Sequence, residues 1–309
     1  MKKSTFQKLA LASFAALLWS CQTPEENTTE ETNANATTKL KPETDRASAA
    51  SCGTMYALVL SAGTSTPVPG GLTSHIYKVD VCTSPTGYNY LSTINIGGTP
   101  VTSVTGLCDM PGTPGYAWAV TGVNSNFPSR LLKVQIISGA AVVATPTAAP
   151  LQDIENYGTT GLFLAIKEGT STVMRVNVST GACTPFSSAS PTNQYNGLTF
   201  FGNKVHVISG LTNIMCPPNY GDIFEYDLAG NLVGRYSYKN LPANNIYTMK
   251  ELGFHYDNCC KRWVVGSSTG IISNNFDITA CTPSNPTFLL NTAATGQPHY
   301  AIYDFMLEP

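Results

Sequence analysis

A chain of 309 residues, 42% hydrophobic and only 12% charged, carries enough apolar matter for a sizeable core. Its formal charge is −2, and no Lys/Arg cluster follows any strand-like run, which excludes nucleic acid as a partner. Ser, Thr, Asn, Gly and Tyr fill the remainder, a usage common among exported β-proteins.

The first segment is a targeting signal. Lys2, Lys3 and Lys8 precede an unbroken apolar and small run from Leu9 to Trp19. That run is too short to cross a bilayer core of about 30 Å as a helix, but it has the length of a secretory h-region. It ends in Leu18-Trp19-Ser20-Cys21, which resembles the bacterial lipobox, with Trp19 bulkier than usual. The resemblance implies a signal peptide over 1–20 and a lipidated Cys21 that holds the protein to a membrane. Each buried methylene of such an anchor adds about 0.8 kcal/mol of membrane affinity.

Residues 21–51 are expected to be a disordered tether. From Gln22 the segment holds no aromatic residue, and Thr, Asn, Ala and Glu dominate, so it cannot bury enough apolar surface to offset ordering entropy. Its acids, Glu25, Glu26, Glu30, Glu31, Glu43 and Asp45, outnumber Lys39, Lys41 and Arg46. Acids soon after a lipidated cysteine resemble the export signal of surface lipoproteins in some Gram-negative bacteria. The expected address is the outer membrane and the cell surface.

The body, 52–309, reads as all-β. Short alternating runs are separated by Gly, Pro, Asn and Ser, with no convincing helical period. One hexapeptide recurs: any residue, apolar, polar, apolar, Asp/Asn/Gln, apolar. The copies are Ile76–Val81, Leu131–Ile136, Val173–Val178, Ile223–Leu228 and a degraded Ser273–Ile278. Their spacings of 55, 42, 50 and 50 residues suit propeller blades. Before each copy lie an apolar strand and an earlier entry strand: Thr105–Asp109, Gln152–Asn156, Asn196–Phe200 and Glu251–His255. A poorer strand follows, giving four per unit.

The chain ends supply the remaining unit. Tyr300–Asp304 is an entry strand without a successor, and Met55–Ser61 is a second strand without an entry. Joined, they predict a five-bladed β-propeller closed by pairing of N- and C-terminal strands, leaving no open sheet edge; the alternative is six-bladed.

Eight cysteines besides Cys21 in an exported chain point to disulfides. Hairpin symmetry pairs Cys52 with Cys82, and Cys281 with Cys260 or Cys259, each staple contributing about 2–4 kcal/mol. Zinc spacings of the Cys-x-x-Cys kind are absent.

No hydrolase, zincin or phosphate-loop motif occurs, and His206, between Val205 and Val207, reads as structural. The candidate site is the channel mouth, where the alignment places Thr105, Gln152, Asn196, Glu251 and Tyr300. Asp109, Asn156, His255 and Asp304 follow deeper. Glu251, Asn196 and Gln152 offer the oxygen ligands that a hard cation such as Ca2+ prefers. This set resembles the acid-plus-amide metal ring of gluconolactonase-like propellers, which hydrolyse lactones. The sequence departs from that family in its blade count and in lacking a second ring carboxylate to act as base. The Pro-stiffened loop Asn213–Gly221, with Cys216 and Tyr220, is a second candidate for recognition.

Two functions follow. The first is a non-catalytic surface module that binds a glycan, peptide or protein. The alternative is a metal-assisted lactonase/esterase-like hydrolase with its site at the channel mouth.

Overall fold

The computed structural model describes residues 54–61, 72–82, 88–157, 161–187, 194–209, 220–239, 251–257, 262–267, 270–274, 287–291 and 300–307. The signal peptide, Cys21 and the tether fall outside them.

The described chain is all-β in a β-propeller arrangement of antiparallel four-stranded sheets. The first sheet combines the two ends of the body: β1 (Thr54–Ser61), β2 (Thr73–Asp80) and β3 (Tyr88–Thr93) are joined by β22 (Tyr300–Leu307), in the order β22-β1-β2-β3. A small ribbon, β4 (Asn95–Ile96) and β5 (Thr99–Pro100), leads to the second sheet. That sheet is β6 (Val104–Asp109), β7 (Tyr116–Thr121), β8 (Arg130–Gln135) and β9 (Ala141–Pro146). The third is β10 (Leu151–Asn156), β11 (Leu162–Lys167), β12 (Val173–Asn177) and β13 (Cys183–Pro185). The fourth is β14 (Tyr195–Phe201), β15 (Lys204–Ser209), β16 (Tyr220–Tyr226) and β17 (Leu232–Lys239). The fifth is β18 (Glu251–Asp257), β19 (Arg262–Ser267), β20 (Gly270–Asn274) and β21 (Thr287–Asn291).

In the first four sheets the hexapeptide falls on the third strand. Its fifth residue serves the turn that follows: Asn177 Oδ1 accepts the Ser179 and Thr180 N–H groups, and Asp227 Oδ1 accepts those of Ala229 and Asn231. The degraded fifth copy is displaced. Strand β20 is Gly270–Asn274, so the copy overlaps only its last two residues, and 275–278 lie outside the described residues.

Apolar residues of both parities are buried because each sheet is covered on both faces. Tyr56 and Leu58 of β1 pack with Leu107, Ala117 and Leu132 of the second sheet, while Met55, Ala57 and Val59 turn the other way with Val264 of the fifth. Phe163 and Ala165 of β11 join Val120 and Leu131, whereas Leu164 and Ile166 join Leu198 and Val207. At roughly 25 cal/mol per Å2 of apolar surface buried, these inter-sheet seams are the main stabilising term.

Cys82 is disulfide-bonded, and Cys108 and Cys183 carry free thiols. Cys52, Cys259, Cys260 and Cys281 lie outside the described residues.

Candidate functional site

The innermost strands pack side by side: β22 with β6, β6 with β10, β10 with β14, β14 with β18, and β18 with β22. Each slips register against its hairpin partner within the same turn. The slip falls between Val104 and Gly106, Gln152 and Ile154, Tyr195 and Gly197, and Glu251 and Gly253, and on β22 between Ile302 and Asp304. An extra residue there re-aims the side chains on either side of it.

Counted back from Leu107, Ile154, Leu198, Phe254 and Phe305, the inner strands share a tripeptide, whose unpaired residue is the first in four strands and the second, Asp153, in β10. It reads Thr105-Gly106-Leu107, Gln152-Asp153-Ile154, Asn196-Gly197-Leu198, Leu252-Gly253-Phe254 and Tyr303-Asp304-Phe305. Of the five predicted mouth residues, Thr105, Gln152 and Asn196 share the first position. In β18 and β22 that position belongs to Leu252 and Tyr303, not to Glu251 and Tyr300. The additional residue at each slip is invisible to an ungapped alignment and displaced those two assignments.

The three aligned residues are buried, at 6%, 6% and 8% exposure. Thr105 Oγ1 donates to the Leu151 carbonyl at 2.6 Å, and Gln152 Nε2 donates to the Asn196 carbonyl at 3.1 Å. Gln152 also approaches Asn196 Oδ1 at 3.4 Å. These side chains stitch β6 to β10 and β10 to β14. Gln152 turns its N–H toward Asn196, and its Oε1 faces away from that contact's carbonyl. The side chains of Glu251 and Tyr300 lie outside the described set, and among the described residues no His, Cys, Asp and Glu side chains group as a metal site.

One step inward, glycine occupies three of the five equivalent positions and aspartate the other two. A Cβ on Gly106 would sit 2.6 Å from the Asp153 Cα, so β6 and β10 approach too closely there for any side chain. Asp153 and Asp304 make the same bond to the next inner strand. Asp153 Oδ2 accepts the Leu198 N–H at 2.5 Å, and Asp304 Oδ2 accepts the Leu107 N–H at 2.5 Å. Each carboxyl therefore holds the backbone just past the glycine of the next inner strand. Asp304 Oδ1 also accepts the Phe305 N–H at 2.7 Å. Asp153 adopts φ 56, a left-handed conformation that non-glycine residues seldom take, and its Oδ1 has no donor.

Burial raises Asp153 well above the usual carboxylate range, with the adjacent Asp304 adding to it; burial raises Asp304 to about 7. Burial pushes the Cys108 thiol up, with Asp109, Glu155 and then Asp304 and Asp153 adding to it. Deeper still, Asn156 donates to the Asp109 carbonyl at 2.6 Å and to its carboxylate. Thr199 Oγ1 lies 3.2 Å from His255 Nδ1. The predicted deep set is thus divided: Asp109 and Asn156 meet, His255 bonds to Thr199, and Asp304 sits higher, at the glycine level.

His206 stands apart from the channel, in the seam between the fourth and fifth sheets. Its Nε2 is 3.1 Å from Glu225 Oε2, and Lys204 pairs with the other carboxylate oxygen. Trp263 and Phe201 pack against the ring at 5.1 and 6.0 Å between centroids. Burial lowers His206 to about 4, against the opposing pull of Glu225.

Sequence reasoning passed over Asp153 altogether. The Gly/Asp alternation in the tripeptide was the signal that could have found it. The loop from Asn213 lies outside the described side chains.

No protein-family model matches this sequence, and no curated protein matches it. Among solved structures, the chain is similar to a PQQ-bound aldose sugar dehydrogenase from Streptomyces coelicolor, at 12% identity and a TM-score of 0.38. That match covers 56% of this chain and 58% of the dehydrogenase, so it spans little more than half of that protein. A nidogen/laminin complex matches at 8% identity and a TM-score of 0.47, covering 83% of this chain and 99% of that one. At such scores neither carries an argument about function.

Proposed function

We propose that this chain is a lipoprotein, anchored through Cys21 and tethered by 21–51, whose propeller is a non-catalytic binding module for a glycan, peptide or protein at the outer membrane and cell surface. The same reading takes the five sheets as five blades of a closed disc, with β22 beside β1 completing the last. It also pairs Cys52 with Cys82, and Cys281 with Cys260 or Cys259. The outermost β1/β2 pair, Thr54↔Asp80, stops two residues short of Cys52 and Cys82, which supports the first pairing.

One observation carries the binding reading. At the mouth, Thr105, Gln152 and Asn196 are buried and hydrogen-bonded to the neighbouring strands, so the described polar lining is engaged in scaffold, not offered to a substrate. Recognition then falls to loops around that mouth, where rigid scaffolds usually display it. Leu72 and Val123 stand exposed at this end, and their segments are joined through Ser103: Ser103 N donates to Leu72 O, and Gly122 N to Ser103 O. Glu168 Oε2 accepts the Val123 N–H at 2.7 Å and fixes the loop.

A photo-reactive residue at Val123, in the lipidated protein on cells, is expected to give discrete adducts. The same probe at exposed Ile137, on the β8–β9 turn at the opposite end of the sheet, should not. Equal labelling from both sites rejects the mouth-face reading. Metal-dependent turnover of lactones or esters that disappears in Glu251→Gln rejects the non-catalytic one. Cys21→Ser should abolish fatty-acid incorporation and release the protein from membranes, and retention of both removes the anchor.

A further inference from the structure

The outermost strand of the first sheet carries the one exposed aromatic ring among the described side chains, Tyr90, at 54% exposure. The register sets it on one face with three others. His75 lies opposite Thr93 and Tyr77 opposite Tyr90, and the slip between Ile76 and Tyr77 takes up Leu91 as an extra residue. Alternation along β2 turns Lys78 and Asp80 to the other face, and β3 holds no charged residue. Burial lowers the pKa of His75, which keeps its imidazole uncharged at neutral pH. The face that β2 and β3 present around Tyr90 is therefore neutral.

Tyr90 is also fixed. Its hydroxyl bonds at 2.8 Å to Oγ1 of Thr93, three residues along the same strand, and that oxygen meets His75 Nδ1 at 2.8 Å. These bonds lay the ring along β3. Tyr77 and His75 meet it steeply, at 75° and 62° with centroids 5.5 and 6.0 Å away, so neither covers it face to face. The ring is a flat, uncharged surface that has lost its rotamer freedom before anything binds. Its π face is electronegative. Sugar C–H groups, polarised by neighbouring oxygens, gather on one side of a pyranose ring and match such a face in size and sign. A protein hot spot would instead occupy a closed, desolvated pocket, whereas Tyr90 stands on an open rim.

We propose that Tyr90 is a stacking platform for a pyranose of a neutral glycan, a second binding site on the outer strand of the first sheet, apart from the mouth. Thr93 is a positioning residue: its hydroxyl fixes the ring and makes no contact with the sugar. The site is independent of what the mouth binds and of the membrane anchor.

Affinity electrophoresis of the full chain tests it, through gels containing a neutral glucan, mannan, galactan or xylan, with polygalacturonate as the acidic control. At least one neutral polymer should retard the wild type, and polygalacturonate should not. Tyr90→Ala should weaken that retention about tenfold, whereas Tyr90→Phe, which keeps the ring, should stay within about threefold. Thr93→Val keeps the ring but frees it, and should fall between the two. Melting temperatures measured alongside separate a lost contact from a lost fold. A wild type that passes every neutral gel unretarded overturns the proposal. Retention that Tyr90→Ala leaves intact does the same, since it places the glycan elsewhere, as does a Tyr90→Phe protein that loses retention as fully as alanine. Stronger retention by polygalacturonate assigns the face to an acidic ligand and overturns the neutral one. Tyr90-dependent cross-linking to a protein, without retention by any glycan, assigns it to a protein partner and overturns it equally.

Discussion

Replacing Gly106 by alanine separates steric closeness from backbone conformation. The added methyl would meet the Asp153 Cα at 2.6 Å, the Asp153 carbonyl carbon at 2.8 Å and the Ile154 nitrogen at 2.8 Å. All three are main-chain atoms of the neighbouring inner strand, and none can rotate away as a side-chain tip could. Relief requires β6 and β10 to separate, which disturbs the Thr105–Leu151 bond and the Asp304–Leu107 bond on either side. Overpacking a rigid core ordinarily costs about 1–3 kcal/mol, and backbone against backbone belongs at the top of that range or above it. For a domain of this size, about 3 kcal/mol lowers the melting temperature by roughly 6–12 °C. Gly112→Ala is the control. Its φ is +73 and nothing lies within 4 Å, so alanine there incurs only the left-handed penalty of about 1–2 kcal/mol. Urea titrations of the mature body, read as midpoint shifts at constant slope, compare the two. If Gly106→Ala moves the midpoint no further than Gly112→Ala, the inner strands are not as close as argued, and the tripeptide alignment fails with them.

Two further outcomes follow from the interior chemistry. Thr105→Val keeps the shape but leaves the Leu151 carbonyl without its 2.6 Å donor, and should cost about 1–3 kcal/mol in the same titration. Cys108, 1% exposed and with its thiol pushed up by burial and then by its acidic neighbours, should resist alkylation until global unfolding, whereas half-buried Cys183 should be labelled first by peptide mass spectrometry.

The sheets were legible because both faces of every inner hairpin had to be apolar, and that demand repeats at blade spacing. The hexapeptide marked the third strand wherever its fifth residue was also needed for the turn, as at Asn177 and Asp227. In the fifth sheet the pattern Ser273–Ile278 overlaps only the last two residues of β20. Another recurring feature went unread: Gly139, Gly181 and Gly230 close the same turn in three sheets with positive φ. A Cβ on each would strike the carbonyl of Thr93, Pro146 or Phe186 in the preceding sheet. The mouth was harder, because a one-residue bulge changes which side chain points where without altering composition. Thr105, Gln152 and Asn196 fall at the first position of the tripeptide, and Glu251 and Tyr300 fall before it. Asp153 escaped notice because an acid in an apolar strand looks like a surface residue until its neighbours are known.

Acid stability should reveal two opposed titrations in separate sheets. His206 in the folded protein does not take a proton until about pH 4, whereas the unfolded chain takes one near 6.5. Stability from this group is therefore lost as pH falls between those values, by about 1.4 kcal/mol per pH unit. Asp153 runs the other way: it holds a proton in the fold that the unfolded chain has released above about pH 4, so its contribution is lost as pH rises. Between about pH 4.5 and 6 the His206 slope opposes that of Asp153, and Asp304, raised to about 7, adds to the Asp153 side, so the wild-type slope alone does not separate them. His206→Gln, whose amide can replace the Nε2 contact to Glu225, should make stability fall more steeply with rising pH by about 1.4 kcal/mol per unit. Asp153→Asn should shift the slope equally in the opposite sense. The two groups share no partner, so the double variant should recover the wild-type slope. Denaturant midpoints at four pH values are sufficient to decide. An unchanged slope in His206→Gln means that the folded imidazole is charged through this range, and the buried His206–Glu225 contact is then an ion pair, not a neutral hydrogen bond.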